Sequence, residues 1–332
     1  MNKEMACIFL NRECPRGCPQ CGMLSPRPKM SVSQVQTAVS ILRGLDFKFI
    51  LFLATEPLLL GSRLVLLVDW LYKTGTFYAM YSTSPEPLFS RFRQPLVDAG
   101  LRNWSSGIDY LPGASPSIIT RLKVQESAQG LAWMARQGVE VHSNTTVHRD
   151  NFKSLPEILM WCQSIYPGMQ TAFNFIEYKR DEQFDFFAEK EKMQDLWWEG
   201  TEEEAEALQS VMAKVREMTT WPGSIIQTTY DYLDRAVDYY TTLNKHCQGN
   251  VGPCVDCDGT LRLCGYRTGS QVGRYKVFDL KERYAEIEDA WQQDLAECPG
   301  CYWICPELVK TPELLDPASG VHEKRWSTGD RG

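Results

Sequence analysis

Apolar and polar positions along this chain follow two periods that take turns. Residues 6–10 form a short continuous apolar run, the pattern of a strand buried on both faces. Ser31, Val32, Ser33 and Gln34 have the spacing of a helix capping box. Val35, Ala38, Val39 and Leu42 then fall on one helical face, which Gly44 ends. Residues 47–53 predict a second buried strand, closed by Ala54-Thr55-Glu56-Pro57. The alternation continues with helices over 58–73 and 85–99 and strands over 76–82 and 103–109. Ser115-Pro116 opens a long helix that reaches Gln137 and stops at Gly138. A strand over 139–147, a helix over 155–165 and a strand over 171–178 complete the series. Six strands interleaved with helices predict an α/β fold with a parallel sheet and the helices outside it.

The fifth strand departs from an ordinary packed interior. Val139, Val141, Thr145 and Val147 share one face, whereas Glu140, His142, Asn144, Thr146 and His148 share the other. A packed barrel interior is filled with branched apolar side chains, so this polar face predicts a wet cavity for cofactor and substrate. His142 reads as a hydrogen-bonded packing residue, with no second histidine at metal spacing. Beyond the sixth strand the pattern weakens. Over 181–198, Phe184, Phe186, Phe187, Trp197 and Trp198 alternate with charges, which reads as an aromatic-anchored connector; a substrate lid and a docking segment are the other readings. The acidic run 199–206 reads as a solvated helix start, with Gly200 as a break and Thr201 as N-cap. That helix runs to about Met218, and another spans 230–243.

With 332 residues, 43% of them hydrophobic, the chain can bury a large core. Its richest apolar stretch, 49–70, is broken by Glu56, Pro57, Arg63 and Asp69, so no membrane span is expected. The start of the chain lacks a basic region followed by a long apolar segment, so the expected location is cytoplasmic, without a signal peptide. A formal charge of −7 argues against a nucleic-acid partner. The 12 cysteines are clustered, and only Cys7 and Cys162 stand apart. Without a secretion signal, such clusters favour metal or iron–sulfur ligation over disulfides.

Cys14, Cys18 and Cys21 form a CxxxCxxC spacing just after the first strand. Pro15, Gly17 and Pro19 let so short a loop wrap three thiolates around one centre. Thiolates select iron–sulfur clusters, zinc or copper(I). A structural zinc site ordinarily adds a second cysteine or histidine pair. In a [4Fe–4S] cluster, three cysteines leave one iron open to a substrate.

This motif resembles that of the radical S-adenosylmethionine (radical SAM) superfamily. The resemblance implies a partial (β/α)6 barrel in which Cys14, Cys18 and Cys21 hold a [4Fe–4S] cluster. Its open iron binds SAM, and electron transfer yields a 5′-deoxyadenosyl radical that abstracts hydrogen. The residue before the third cysteine is usually aromatic and near the adenine; here it is Gln20. The superfamily often carries Gly-Gly-Glu-Pro after the second strand. Here Ala54 and Thr55 replace the glycines, whereas Glu56 and Pro57 match, and Glu56 is implied to meet the SAM ammonium. As a plain sequence feature, Glu56-Pro57 also reads as the acidic start of a helix. Ser82, Ser106, Asn144 and Asn174, near strand ends, are implied contacts to the SAM ribose or carboxylate, or else partners of nearby backbone groups.

A second cysteine group follows: Cys247, Cys254, Cys257 and Cys264, then Cys298, Cys301 and Cys305. Asp258-Gly259 predicts a tight turn, with residues 260–263 as the return strand of a hairpin. The paired cysteines Cys254/Cys257 and Cys298/Cys301 also fit a zinc ribbon. From Cys247 the pattern C-x11-G-x4-C with a later C-x2-C resembles the twitch or SPASM auxiliary-cluster domain of some radical SAM enzymes. By that match, Cys247, Cys264, Cys298 and Cys301 ligate one auxiliary [4Fe–4S] cluster. Cys254, Cys257 and Cys305 are extra; they serve a second cluster, or Cys254 replaces one of the four. The expected division is a barrel core over 1–180, a helical connector over 181–245, an auxiliary-cluster domain over 246–309 and a tail over 310–332.

The resemblance thus implies a radical SAM enzyme that acts on a peptide or small molecule, with net oxidation assisted by the auxiliary cluster and an electron donor such as flavodoxin or ferredoxin. Nucleotide or nucleobase modification, and a non-catalytic iron–sulfur or zinc protein on this scaffold, are the competing readings. No residue stands out as the catalytic acid or base.

Overall fold

The computed structural model describes residues 1, 3–16, 18, 28–167, 169–175, 201–218, 225–226, 233, 237, 252–264 and 270–298. The six expected strands form as β1 (Met5–Asn11), β2 (Phe49–Ala54), β3 (Tyr78–Met80), β4 (Asn103–Gly107), β5 (Glu140–Val147) and β6 (Gln170–Phe175). Between and after them run α1 (Val32–Gly44), α2 (Ser62–Lys73), α3 (Leu88–Asp98), α4 (Ile118–Arg136), α5 (Leu155–Ile165) and α6 (Glu202–Met218). Every pairing among β1 to β6 is parallel, as crossover helices require. The fold class and the six βα units are therefore those expected.

Two sheets make up the arc, ordered β3-β2-β1-β8-β9 and β4-β5-β6-β7, with β7 (Ile225–Ile226), β8 (Cys254–Val255) and β9 (Leu261–Arg262) as two-residue strands. The sheets meet between β3 and β4. There Tyr81 bridges Ser105, and the Asn103 amide donates to the Tyr78 carbonyl at 2.8 Å and accepts from the Met80 N–H at 3.2 Å. One side chain thus replaces the ladder bonds missing at the seam.

The two faces of the arc are chemically different. Ala6, Ile8, Leu10, Ile50, Phe52, Trp104 and Val141 belong to the main core, together with Val35, Leu42, Leu67, Leu131 and Ile158 from the helices. Met5, Cys7, Phe9, Phe49, Ala79, Cys254 and Cys257 form a separate buried cluster without helix residues. Strand alternation places this second set on the inside. Val139 and Val141 pack in the helix-covered core, so Glu140, His142, Asn144 and Thr146 turn inward. The inner wall is therefore apolar along β1, β2 and β8 and polar along β5.

Several boundaries shift from expectation. α2 starts at Ser62 because Gly61 adopts φ +60° and separates it from a 3-10 turn at Pro57–Leu60. α4 starts later than Ser115-Pro116, since Ser117 and Thr120 form the capping box. The Ser31–Gln34 box forms as read. Helix α7 (Leu280–Ala296) was not anticipated. Residues 176–200, most of 230–243 and the segment from 299 onward lie outside the described residues. Among the described residues, no helix is long and apolar enough to cross a membrane.

Candidate active site

The loop leaving β1 carries Cys14 and Cys18, both half-exposed. Asn11, the last residue of β1, anchors it: its amide donates to the Glu56 carbonyl at 2.7 Å, and its oxygen takes the Thr55 hydroxyl at 3.0 Å. Thr55 also bonds the Glu13 carbonyl. The departure from glycine at position 55 thus has a local use, because the hydroxyl ties the cysteine loop to the end of β2. Arg16, between the two cysteines, donates its backbone N–H to Cys14 Sγ at 3.4 Å. Its side chain donates from Nε to Thr83 Oγ1 at 3.2 Å and pairs with Glu126 of α4. Gln20 and Cys21 lie outside the described residues.

Glu56 is fully buried at the end of β2. Oε1 accepts from Ser82 Oγ at 2.7 Å and from the Leu58 N–H at 3.1 Å. Oε2 accepts from the Thr83 N–H at 3.0 Å and Thr83 Oγ1 at 2.9 Å. Burial raises the carboxyl pKa, and these four donors work against that rise. A carboxylate has about four lone-pair sites, so all are engaged. Glu56 is also the N-cap of the 3-10 turn, the plainer of the two sequence readings. The Ser82 and Ser106 hydroxyls both donate within the chain. Ser106 lies on the Trp104 side of β4 and donates to the Ser82 carbonyl at 2.6 Å. Asn144 and Asn174 pair across β5 and β6, with Asn174 Nδ2 donating to Asn144 Oδ1 at 2.6 Å. Asn174 Oδ1 is buried and, among the described residues, has no hydrogen-bond partner.

At the ends of β3, β4 and β5 stands a cluster that the sequence reading missed. Lys123 of α4 and Asp109 form a buried ion pair, and the Thr146 N–H donates to Asp109 at 2.8 Å. Burial alone would raise the Asp109 carboxyl, but Lys123 and Thr146 outweigh it and hold the pKa below the usual range. Burial would likewise depress Lys123, but the charges of Asp109, Tyr81 and Cys18 more than offset this. Tyr81 Oη and Lys123 Nζ lie over Gly107, where an added Cβ would come within 2.1 and 3.0 Å of them. His148 packs against Tyr110 with ring centroids 5.3 Å apart, and burial lowers its pKa to about 4. Among the described residues, its neutral imidazole has no hydrogen-bond partner at either nitrogen.

The second cysteine group docks on β1. Cys254 of β8 lies opposite Cys7 of β1, and the Cys7 N–H donates to the Pro253 carbonyl at 3.0 Å. The Asp258-Gly259 hairpin forms, with Gly259 at φ +84°. Asp256 binds Arg12 at 2.9 Å and Arg262 at 2.7 Å, all three side chains buried. The hydrogen bond that the Cys254 thiol donates to Cys7, and burial, raise it well above its ordinary pKa. Burial pushes Cys257 up to about 12. Cys264 and Cys298 are half-exposed. The backbone after Cys264 is tied to the helix before Cys298, because Asp294 accepts from the Gln271 and Val272 N–H groups at 2.7 and 2.8 Å. Cys247, Cys301 and Cys305 lie outside the described residues. Among the described residues, no three metal-binding side chains converge.

The donor set at the N-terminal loop suits an iron–sulfur cluster. Cys14 and Cys18 are soft ligands beside two cations, Arg16 and Lys123, which offset the negative charge of a thiolate-held cluster.

Known structures share this fold. The chain superposes on 84% of its length with the crystal structure of Streptococcus suis SuiB bound to precursor peptide SuiA, at TM-score 0.62 and 8% identity; the match spans 64% of SuiB. SuiB bound to S-adenosylmethionine gives TM-score 0.59 at 8% identity over 84% of this chain and 65% of SuiB. Native anSMEcpe with bound AdoMet and Cp18Cys peptide gives 0.54 at 13% identity, covering 91% of this chain and 88% of that one. The chain thus has the partial-barrel fold of radical SAM enzymes. No protein-family model matches the sequence, and no curated protein matches it.

Proposed function

We propose that this protein is a radical SAM enzyme that abstracts hydrogen from a peptide substrate. The observation that carries the reading is the Cys14–Cys18 loop, tied down over the strand ends beside Arg16 and Lys123 on this fold. Two of the structures that share the fold hold a peptide, which supports a peptide over another small molecule.

Cys14, Cys18 and Cys21 would hold the [4Fe–4S] cluster. When bound, this group supplies the electron for reductive cleavage of SAM and so the hydrogen-abstracting species. The chain's own residues bind and orient. Asn174 Oδ1 offers a free acceptor to a ribose hydroxyl, with Asn144 holding its amide in place. Glu56 meets the SAM ammonium only by exchanging a hydroxyl donor, and Ser82 and Thr83 both have rotatable hydroxyls to release. Cys247, Cys264, Cys298 and Cys301 would hold one auxiliary cluster, which would supply an electron acceptor for a net oxidation. Cys254 and Cys257 are left as structural thiols of the inner wall.

The test is 5′-deoxyadenosine formation by anaerobically reconstituted protein given SAM and a strong reductant, beside Cys18→Ala. Cleavage by the wild type alone is expected. Equal, background-level product in both, with iron loaded and SAM bound, would overturn the reading.

A further inference from the structure

We propose that Arg16 is a positioning residue that fixes the Cys14–Cys18 loop and holds up the reduction potential of the cluster bound there; the inference rests on the cluster reading above. An arginine between two ligand cysteines on a loop would ordinarily reach for solvent. This one is turned inward, with its side chain only 9% exposed. It joins three elements: the loop itself, Thr83 after β3 through Nε, and Glu126 of α4 through the guanidinium. Its bond to Thr83 continues inward, because Thr83 Oγ1 donates in turn to Glu56 Oε2 at 2.9 Å. A chain of directed hydrogen bonds therefore runs from the cysteine loop to the buried carboxylate at the end of β2.

The charges give this chain an electrostatic meaning. Cys18, Cys14 and Glu56 all lie close enough for their charges to act on the Arg16 guanidinium. Arg16 is thus the cation between the cysteine loop and two carboxylates, Glu56 and Glu126. Reduction takes one electron from an external reductant, forms or breaks no bond, and adds a negative charge to the site. A fixed cation in a poorly solvated place favours the reduced form, and net charge and hydrogen bonds to sulfur are among the determinants of cluster potential. Removing Arg16 also leaves Glu56 and Glu126 uncompensated. The two effects have the same sign.

The experiment is a reductive titration of the reconstituted protein followed by electron paramagnetic resonance. The N-terminal cluster signal is the one absent from Cys18→Ala. Arg16→Gln should make reduction about tenfold less favourable, a 59 mV fall for one electron. Arg16→Lys should restore most of the shift, since it keeps the charge. Glu126→Gln should move the potential the opposite way, an opposition that a merely structural contact would not produce. If Arg16→Gln fails to load iron, Arg16→Lys and Glu126→Gln decide the matter. Equal midpoints in wild type, Arg16→Gln and Glu126→Gln would overturn this assignment and leave the proposed function standing. Absence of any Cys18-dependent signal in the wild type would overturn both.

Discussion

His148 is fully buried, packs at a tilt against Tyr110 and, among the described residues, finds no hydrogen-bond partner for its ring nitrogens. Its folded pKa of about 4 lies below the ordinary value of 6.5. Between those two values the unfolded chain binds a proton that the folded chain refuses, so stability is present above pH 6.5 and is lost as pH falls toward 4. The loss at pH 5 is about 2 kcal/mol. His148→Phe should abolish that slope, as read by urea denaturation at pH 8 and pH 5; a parallel loss in wild type and variant would disprove it. Glu56→Gln is expected to cost about 1–3 kcal/mol, because the new amide must point its N–H groups at donors on one side or the other. A thermal melt of the variant checks this. At this scale the sequence was only partly legible. The cysteines announced themselves by spacing, and the glutamate by its place before a proline. Three of the four donors around Glu56 were hidden, because they come from Ser82 and Thr83 at a different strand end. Lys123 was hidden too, since on α4 it reads as one more surface lysine until Asp109 is seen beside it.

Between elements, the hairpin of β8 and β9 depends on β1 for its place. Asp256 holds Arg12 from the loop after β1 and Arg262 from β9, and Arg12 also covers the Phe9 ring at 4.5 Å. Asp256→Ala removes the carboxylate that two buried guanidinium groups share, and the expected loss is about 3–5 kcal/mol. Hydrogen exchange at the Cys7 N–H, which is bonded to Pro253, should quicken in that variant more than exchange in β5. Unchanged protection at Cys7 would mean that the hairpin is held by its apolar contacts alone. The βα alternation was legible because each strand and helix declares its period within a few residues. β8 was not, since two residues show no period and its partner strand is far away in sequence. α7 escaped for a related reason: its buried stripe is thin, and one of its five members is Asp294.

For the whole molecule, the number of clusters is the measurable quantity. Cys254 faces Cys7 in the apolar inner wall, whereas Cys264 and Cys298 keep exposed surface. About eight irons per chain are expected, from two [4Fe–4S] sites, and Cys254→Ser should leave that count unchanged. About twelve in the wild type, falling in the variant, would make Cys254 a ligand. The sheet order has a further consequence, for the newborn chain. β1 leaves the ribosome well before β8, yet one of its edges waits for β8, about 250 residues behind it. Until then an apolar strand, Met5–Asn11, presents unpaired N–H and C=O groups along that side. Non-local pairing of this kind slows folding and prolongs the exposure. Chains cut short before residue 254 should therefore aggregate even with all six βα units present, because a strand made late acts as the cover for one made early.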